Sequence, residues 1–122
     1  MTDGRFSAEE ITEAYAELHR RVQGYVDAGD WTGFPLAWQV VDVPTSRLIC
    51  EVRNLMPDPG DGTHLEEPNL TIVTYAGDGL FSREEDVYNP LRFARMAVRW
   101  ARIAEAYGNL GDEGRAYLDQ YG

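Results

Sequence analysis

Residues 36 to 88 constrain the fold most. In that stretch apolar and polar residues alternate with period two, and the runs are divided by turn formers. Leu36 to Val43 reads as a strand, Pro44-Thr45-Ser46-Arg47 as a tight turn, and Leu48 to Met56 as the returning strand. Pro57-Asp58-Pro59-Gly60-Asp61-Gly62 is a rigid acidic loop. Asn69 to Ala76 is rich in β-branched residues, Gly77-Asp78-Gly79 is a hairpin signal, and Leu80 to Tyr88 is its partner strand. The sum is a four-strand antiparallel meander. With Val43 paired to Leu48, Trp38 faces Arg53 and Val40 faces Glu51 on one side. Cys50, Val52 and Asn54 lie on the other.

Helical periodicity flanks this region. Ser7 and Glu10 form an S-x-x-E capping box, and Phe6 is placed to pack on Ile11. Ile11, Tyr15, Leu18, Val22, Tyr25 and Val26 then make one apolar stripe, and Gly29 ends the helix. Asp30-Trp31 opens a short second helical segment, broken at Gly33-Phe34-Pro35. Asn89-Pro90 starts another helix, with Asn as cap and Pro at the first position. Its stripe runs through Phe93, Met96, Trp100, Ile103 and Tyr107 to a stop at Gly108, while Arg92, Arg95, Arg99 and Arg102 line an exposed flank. A last helix, about Asp112 to Gln120, docks through Tyr117 and Leu118. The expected class is α+β, within a single domain spanning 1–122.

Composition excludes several functions. Acidic residues number 21 against 11 basic ones, for a net charge of −10. Phosphate binding needs positive charge, so nucleic acid and anionic membranes are poor partners. Every basic residue is Arg, which removes Schiff-base lysines and P-loop lysines. Cys50 is the only cysteine, and His19 and His64 are the only histidines, so neither a disulfide nor a thiolate or histidine metal site is expected. The acidic loop lacks the spacing of an EF-hand. No apolar run is long enough for a membrane span and the N-terminus lacks a signal pattern, so a cytoplasmic location is expected.

Two segments carry a family resemblance. The helix running into Asp27-Ala28-Gly29-Asp30-Trp31, and the hairpin from Tyr75 to Pro90 that leads into a helix, resemble SnoaL-like proteins of the nuclear transport factor 2-like superfamily. The run Asn54 to Thr63 is similar to an actinobacterial branch of that superfamily. The resemblance implies a strongly curved sheet wrapped around helices into a cone, with a pocket at its wide end and frequent homodimers through the sheet. It also implies cofactor-free chemistry or ligand binding. The chain departs from the family between Phe34 and Pro35, where roughly 30–45 residues of helix and hairpin are expected. The family's proton-abstracting carboxylate usually sits there, so a full catalytic set does not carry over.

By position, the resemblance implies that Trp38, Glu51, Arg53, Thr71, Glu84, Asp86 and Tyr88 surround the pocket. Glu84 or Asp86 is the candidate base, since a desolvated carboxylate gains basicity, and Arg53 or Tyr88 is the candidate oxyanion donor. The bland alternative is ion pairing of Arg53 or Arg83 with Glu51, Glu84 or Glu85. The charges on Leu80 to Tyr88 also suit an edge strand guarded against aggregation, or one that pairs with a second subunit. His19, at the edge of its stripe, and the buried-type Cys50 read as structural. Two functions follow as expectations. One is binding of a small apolar molecule, with acid–base isomerisation, cyclisation or dehydration of a carbonyl compound. The other is a non-catalytic homodimerisation or protein-interaction module.

Overall fold

The computed structural model describes residues 5–27 and 33–122. The readings at Gly29 and at Asp30-Trp31 lie outside the described residues. The order is α1 (Ala8–Asp27), β1 (Leu36–Asp42), β2 (Arg47–Leu55), β3 (Glu66–Gly77), β4 (Leu80–Val87), α2 (Pro90–Ala106) and α3 (Asp112–Tyr121). The four strands form one antiparallel sheet in the order β1-β2-β3-β4. The α+β class and the meander are as the periodicity indicates.

The sheet is not strongly curled, and this corrects the cone-like expectation. Strong curvature is introduced by bulges and kinks inside long strands. Here the register shifts fall near strand ends, between Leu36 and Trp38 and between Thr74 and Gly77. The intervening β2–β3 ladder runs without a shift from Arg47↔Thr74 to Leu55↔Glu66.

The first hairpin also differs in register. Val43 leaves the strand and enters a one-turn 3-10 helix, Val43–Thr45, closed by Ser46 N–H donating to the Val43 carbonyl at 3.1 Å. Ser46 sits at φ 58°, and the four-residue loop, residues 43–46, lies one residue earlier in the chain than the expected turn at 44–47. Val41 therefore faces Leu48, and Trp38 faces Glu51 rather than Arg53. The displacement is two residues, so each side chain keeps its face. Gly33–Pro35 runs alongside the same partner strand, because Arg53 N–H donates to the Pro35 carbonyl and Leu55 N–H to the Gly33 carbonyl.

The core lies between α1 and one sheet face. Ile11 and Tyr15 pack against Leu48, Cys50, Val52, Val73 and Tyr75. Fully burying such side chains contributes about 1.5–3 kcal/mol each. The α1 entrance uses its cap as expected, since Glu10 N–H donates to Ser7 Oγ at 3.1 Å. The Glu10 carboxylate does not return to the cap; it accepts from the Tyr75 hydroxyl at 2.8 Å, fastening the helix start to β3.

At the other end, α2 is capped by Asn89, whose Oδ1 accepts from Leu91 and Arg92 N–H. This helix covers the acidic loop. Trp100 Nε1–H donates to the Pro57 carbonyl at 2.6 Å, and Asn109 Nδ2–H to the Pro59 carbonyl at 3.0 Å. The loop's own carboxylates are spent on its backbone: Asp58 accepts from Gly60 and Gly62 N–H, and Asp61 from Thr63 N–H. The side-chain and backbone bonds from Thr63 hold the Asp61 carboxyl below its usual range. Among the described residues no helix is long and apolar enough to cross a membrane.

Candidate functional site

Opposed residues of antiparallel strands share a face. Cys50 opposes Thr71, which opposes Asp86; Val52 opposes Asn69; Val73 opposes Glu84. These residues therefore belong to the face that α1 covers. Near the Tyr15–Cys50 packing that face is closed, and towards Asn69 and Tyr88 it opens into a cavity of about 590 Å³. Leu18, His19 and Val22 of α1 form one wall, Phe34 and Phe93 close two sides, and the strands supply the polar floor. Its size lies in the range of small-molecule sites.

The floor is a connected polar set. Thr71, only 6% exposed, donates from Oγ1 to Asp86 Oδ1 at 2.7 Å. Asn69 Nδ2–H donates to Thr71 Oγ1 at 2.9 Å and to Asp86 Oδ1 at 3.3 Å. Asn54 Nδ2–H in turn donates to Asn69 Oδ1 at 2.8 Å. The set ends at Glu84, two residues along β4 from Asp86 and on the same face. Burial, and then the charge of Asp86, raise the Glu84 carboxyl above its ordinary value. Both acids keep contact with solvent while lining the cavity.

Two groups at the closed end of the cavity are held in their neutral forms. Cys50 Sγ–H donates to the Tyr15 hydroxyl at 3.2 Å. Burial pushes the Tyr15 phenol far above its ordinary value, and the Cys50 contact adds to this. Burial also raises the Cys50 thiol. Tyr15 is thus a neutral phenol, 5% exposed, that lines the cavity.

The proposed site residues separate by face. Thr71, Glu84, Asp86 and Tyr88 are brought together at the cavity. Trp38, Glu51 and Arg53 lie on the opposite face of the sheet, because each is one residue out of phase with Cys50 and Val52. There Arg53 pairs with Glu51 at 3.0 Å and with Glu66 at 2.9 Å, and these carboxylates hold the guanidinium above its ordinary value. Arg83 pairs with Glu85 on that same outer face at 3.0 Å. The ion-pair reading thus describes Arg53, Glu51, Arg83 and Glu85, and does not describe Glu84. His19 has a structural bond, its Nε2 lying 2.7 Å from the Phe34 carbonyl. His64, in the exposed loop, lies 3.3 Å from Glu66.

Sequence reasoning missed Tyr15, Asn54 and Asn69 as site residues. Tyr15 was visible only as one member of an apolar stripe. The signal that orients the sheet was present: Leu48, Cys50 and Val52 alternate as the apolar set that an amphipathic helix must cover, which turns Glu51 and Arg53 away. Among the described residues no group of three or more His, Cys, Asp or Glu could hold a metal ion. No known protein family, curated protein or solved structure matches the chain.

Proposed function

We propose that the protein binds a small, largely apolar molecule in the inner-face cavity and does cofactor-free acid–base work on it. The observation that carries this reading is the convergence of Glu84, Asp86, Thr71 and the neutral phenol of Tyr15 on one cavity. Glu84 is the base in this reading, since its raised carboxyl exchanges a proton closer to neutral pH than an ordinary glutamate. Tyr15 or Tyr88 supplies the hydrogen bond to a developing oxyanion, as in isomerisation, cyclisation or dehydration of a carbonyl compound. Arg53, on the other face, has no part in that step. The helix–meander–helix order supports kinship with SnoaL-like proteins, while the weak curl of the sheet separates this chain from their cone.

The neutral probe 1-adamantanol tests occupancy. Calorimetric binding should fall at least tenfold in Val22→Trp, which fills the cavity wall from a half-exposed position. It should be unchanged in Val40→Trp on the outer face. Binding indifferent to Val22→Trp contradicts the reading. For catalysis, unchanged turnover of a confirmed substrate by a Glu84→Gln, Asp86→Asn double variant removes those residues as bases.

A second reading, homodimerisation through the sheet, is favoured by the uncovered outer face. Trp38, Val40 and Val87 are 45%, 53% and 54% exposed there. They flank the half-buried Ile49, Leu70 and Ile72. Contiguous exposed apolar surface of this kind drives association. Sedimentation analysis should give a dimer that Val40→Glu converts to monomer, and a wild-type monomer at every concentration contradicts it.

A further inference from the structure

The cavity is built for a particular charge. Its wall contains two carboxylates, Glu84 and Asp86, no arginine, and one imidazole, His19, whose Nε2 is taken up by the Phe34 carbonyl at 2.7 Å. All the other carboxylate-bearing positions of β4 and its neighbours have cations: Glu85 has Arg83, Glu51 and Glu66 share Arg53, and Glu67 has Arg92. Among the described residues, Glu84 and Asp86 have no salt bridge. Residues 23–32, which follow the described side chains of the α1 wall, contain no Arg, Lys or His.

Beside the aliphatic Leu18, Val22 and Val52, the wall carries four aromatic residues. Tyr15, Phe34, Tyr88 and Phe93 line the same cavity, and the Tyr88 and Phe93 rings stack edge to face at 5.2 Å. Aromatic faces attract cations, and the two carboxylates nearby add to that attraction. Tyr15 points a further polar group at the same space. Its hydroxyl is hydrogen-bonded to Cys50 Sγ at 3.2 Å, which holds it at the closed end of that space. An anionic ligand meets repulsion from the acid pair, and a neutral one leaves that pair uncompensated.

We infer that the ligand carries a protonated amine on a compact apolar body, its ammonium held by Glu84 and Asp86 and its body against the aromatic wall. This rests on the reading of the cavity as a small-molecule site and specifies the charge of what enters it. The Thr71 and Asn69 bonds fix Asp86 and leave Glu84 the more adaptable contact.

Three compounds of one shape test it: 1-adamantylamine, 1-adamantanol and 1-adamantanecarboxylate, titrated calorimetrically into the full chain at neutral pH. The amine should bind at least tenfold tighter than the alcohol, with the carboxylate weakest. Raising sodium chloride tenfold should weaken the amine alone. The Glu84→Gln, Asp86→Asn variant should bring amine and alcohol within about twofold of one another. Should that variant not fold, the wild-type ranking and its salt dependence decide. Amine and alcohol of equal affinity overturn the inference and leave the binding reading standing. No binding by any of the three up to about 10 mM overturns both.

Discussion

Thr71 and Asp86 face each other across β3 and β4, joined by a 2.7 Å hydrogen bond from a buried hydroxyl to a solvent-touching carboxylate. That bond ties the core of the sheet to the floor of the cavity. Asn69 and Asn54 extend it to β2, so the polar floor is one network across three strands. Replacing Thr71 by Val keeps the shape and deletes the donor to Asp86. The expected cost is about 1–2 kcal/mol of unfolding free energy, read from urea denaturation. A change below a few tenths would show that the network does not hold the sheet.

Glu84 makes stability depend on pH. Its carboxyl is raised in the folded protein above the ordinary 4.5, so folding favours the protonated form. That contribution is fully present below the unfolded value and is lost as pH rises through the folded one. Glu84→Gln should therefore gain stability over the wild type as pH rises from about 4.5 to 8, by no more than about 1 kcal/mol because the group meets solvent. Urea midpoints of both proteins at pH 5 and pH 8 check the sign. A gap that narrows with rising pH contradicts the assignment.

Tyr75 joins three elements. Its ring, 4% exposed, meets Phe6 edge to face at 4.8 Å and Phe81 at 5.4 Å. Its hydroxyl donates to Glu10 and accepts from Gly79 N–H at 2.9 Å. Tyr75→Phe should cost about 1–2 kcal/mol through the two lost bonds, and Tyr75→Ala about 3–5 through the cavity left behind. Thermal or chemical denaturation ranks the pair, and equal costs would refute the role of the hydroxyl.

Gly60 holds the acidic loop against the end of α2. Its φ is +135°, and a Cβ there would lie 2.5 Å from Tyr107 Cβ. Gly60→Ala should destabilise by about 1–3 kcal/mol, through both overlap and backbone strain. Gly62→Ala meets no atoms within 4 Å and pays only for its φ of +80°, so it should cost less. The reverse ranking in a denaturation series contradicts this packing.

Much of the fold was legible locally. The caps at Ser7 and Asn89 and the Gly77-Asp78-Gly79 turn are chemical signals confined to a few residues, and the elements start where they stand. The first hairpin was not, because nothing in Val43-Pro44-Thr45 distinguishes a fourth strand pair from a turn of 3-10 helix. The curl of the sheet depends on where bulges fall along long ladders, a long-range property. The candidate site was half legible. Alternation assigned Trp38, Glu51 and Arg53 to one face and Cys50, Val52 and Asn54 to the other. Which face looks into the cavity depends on where α1 docks. Charge drew attention to Arg53, whereas the apolar Cys50 side had to be buried, and the floor of the cavity went with it.

Backbone amide shifts of ¹⁵N-labelled protein titrated with 1-adamantylamine test the central claim most directly. The account predicts saturable shifts concentrated at Leu18, Val52, Thr71, Glu84, Asp86 and Tyr88, around the inner cavity. Shifts concentrated at Trp38, Val40 and Val87 on the outer face, or none at saturating probe, would contradict it.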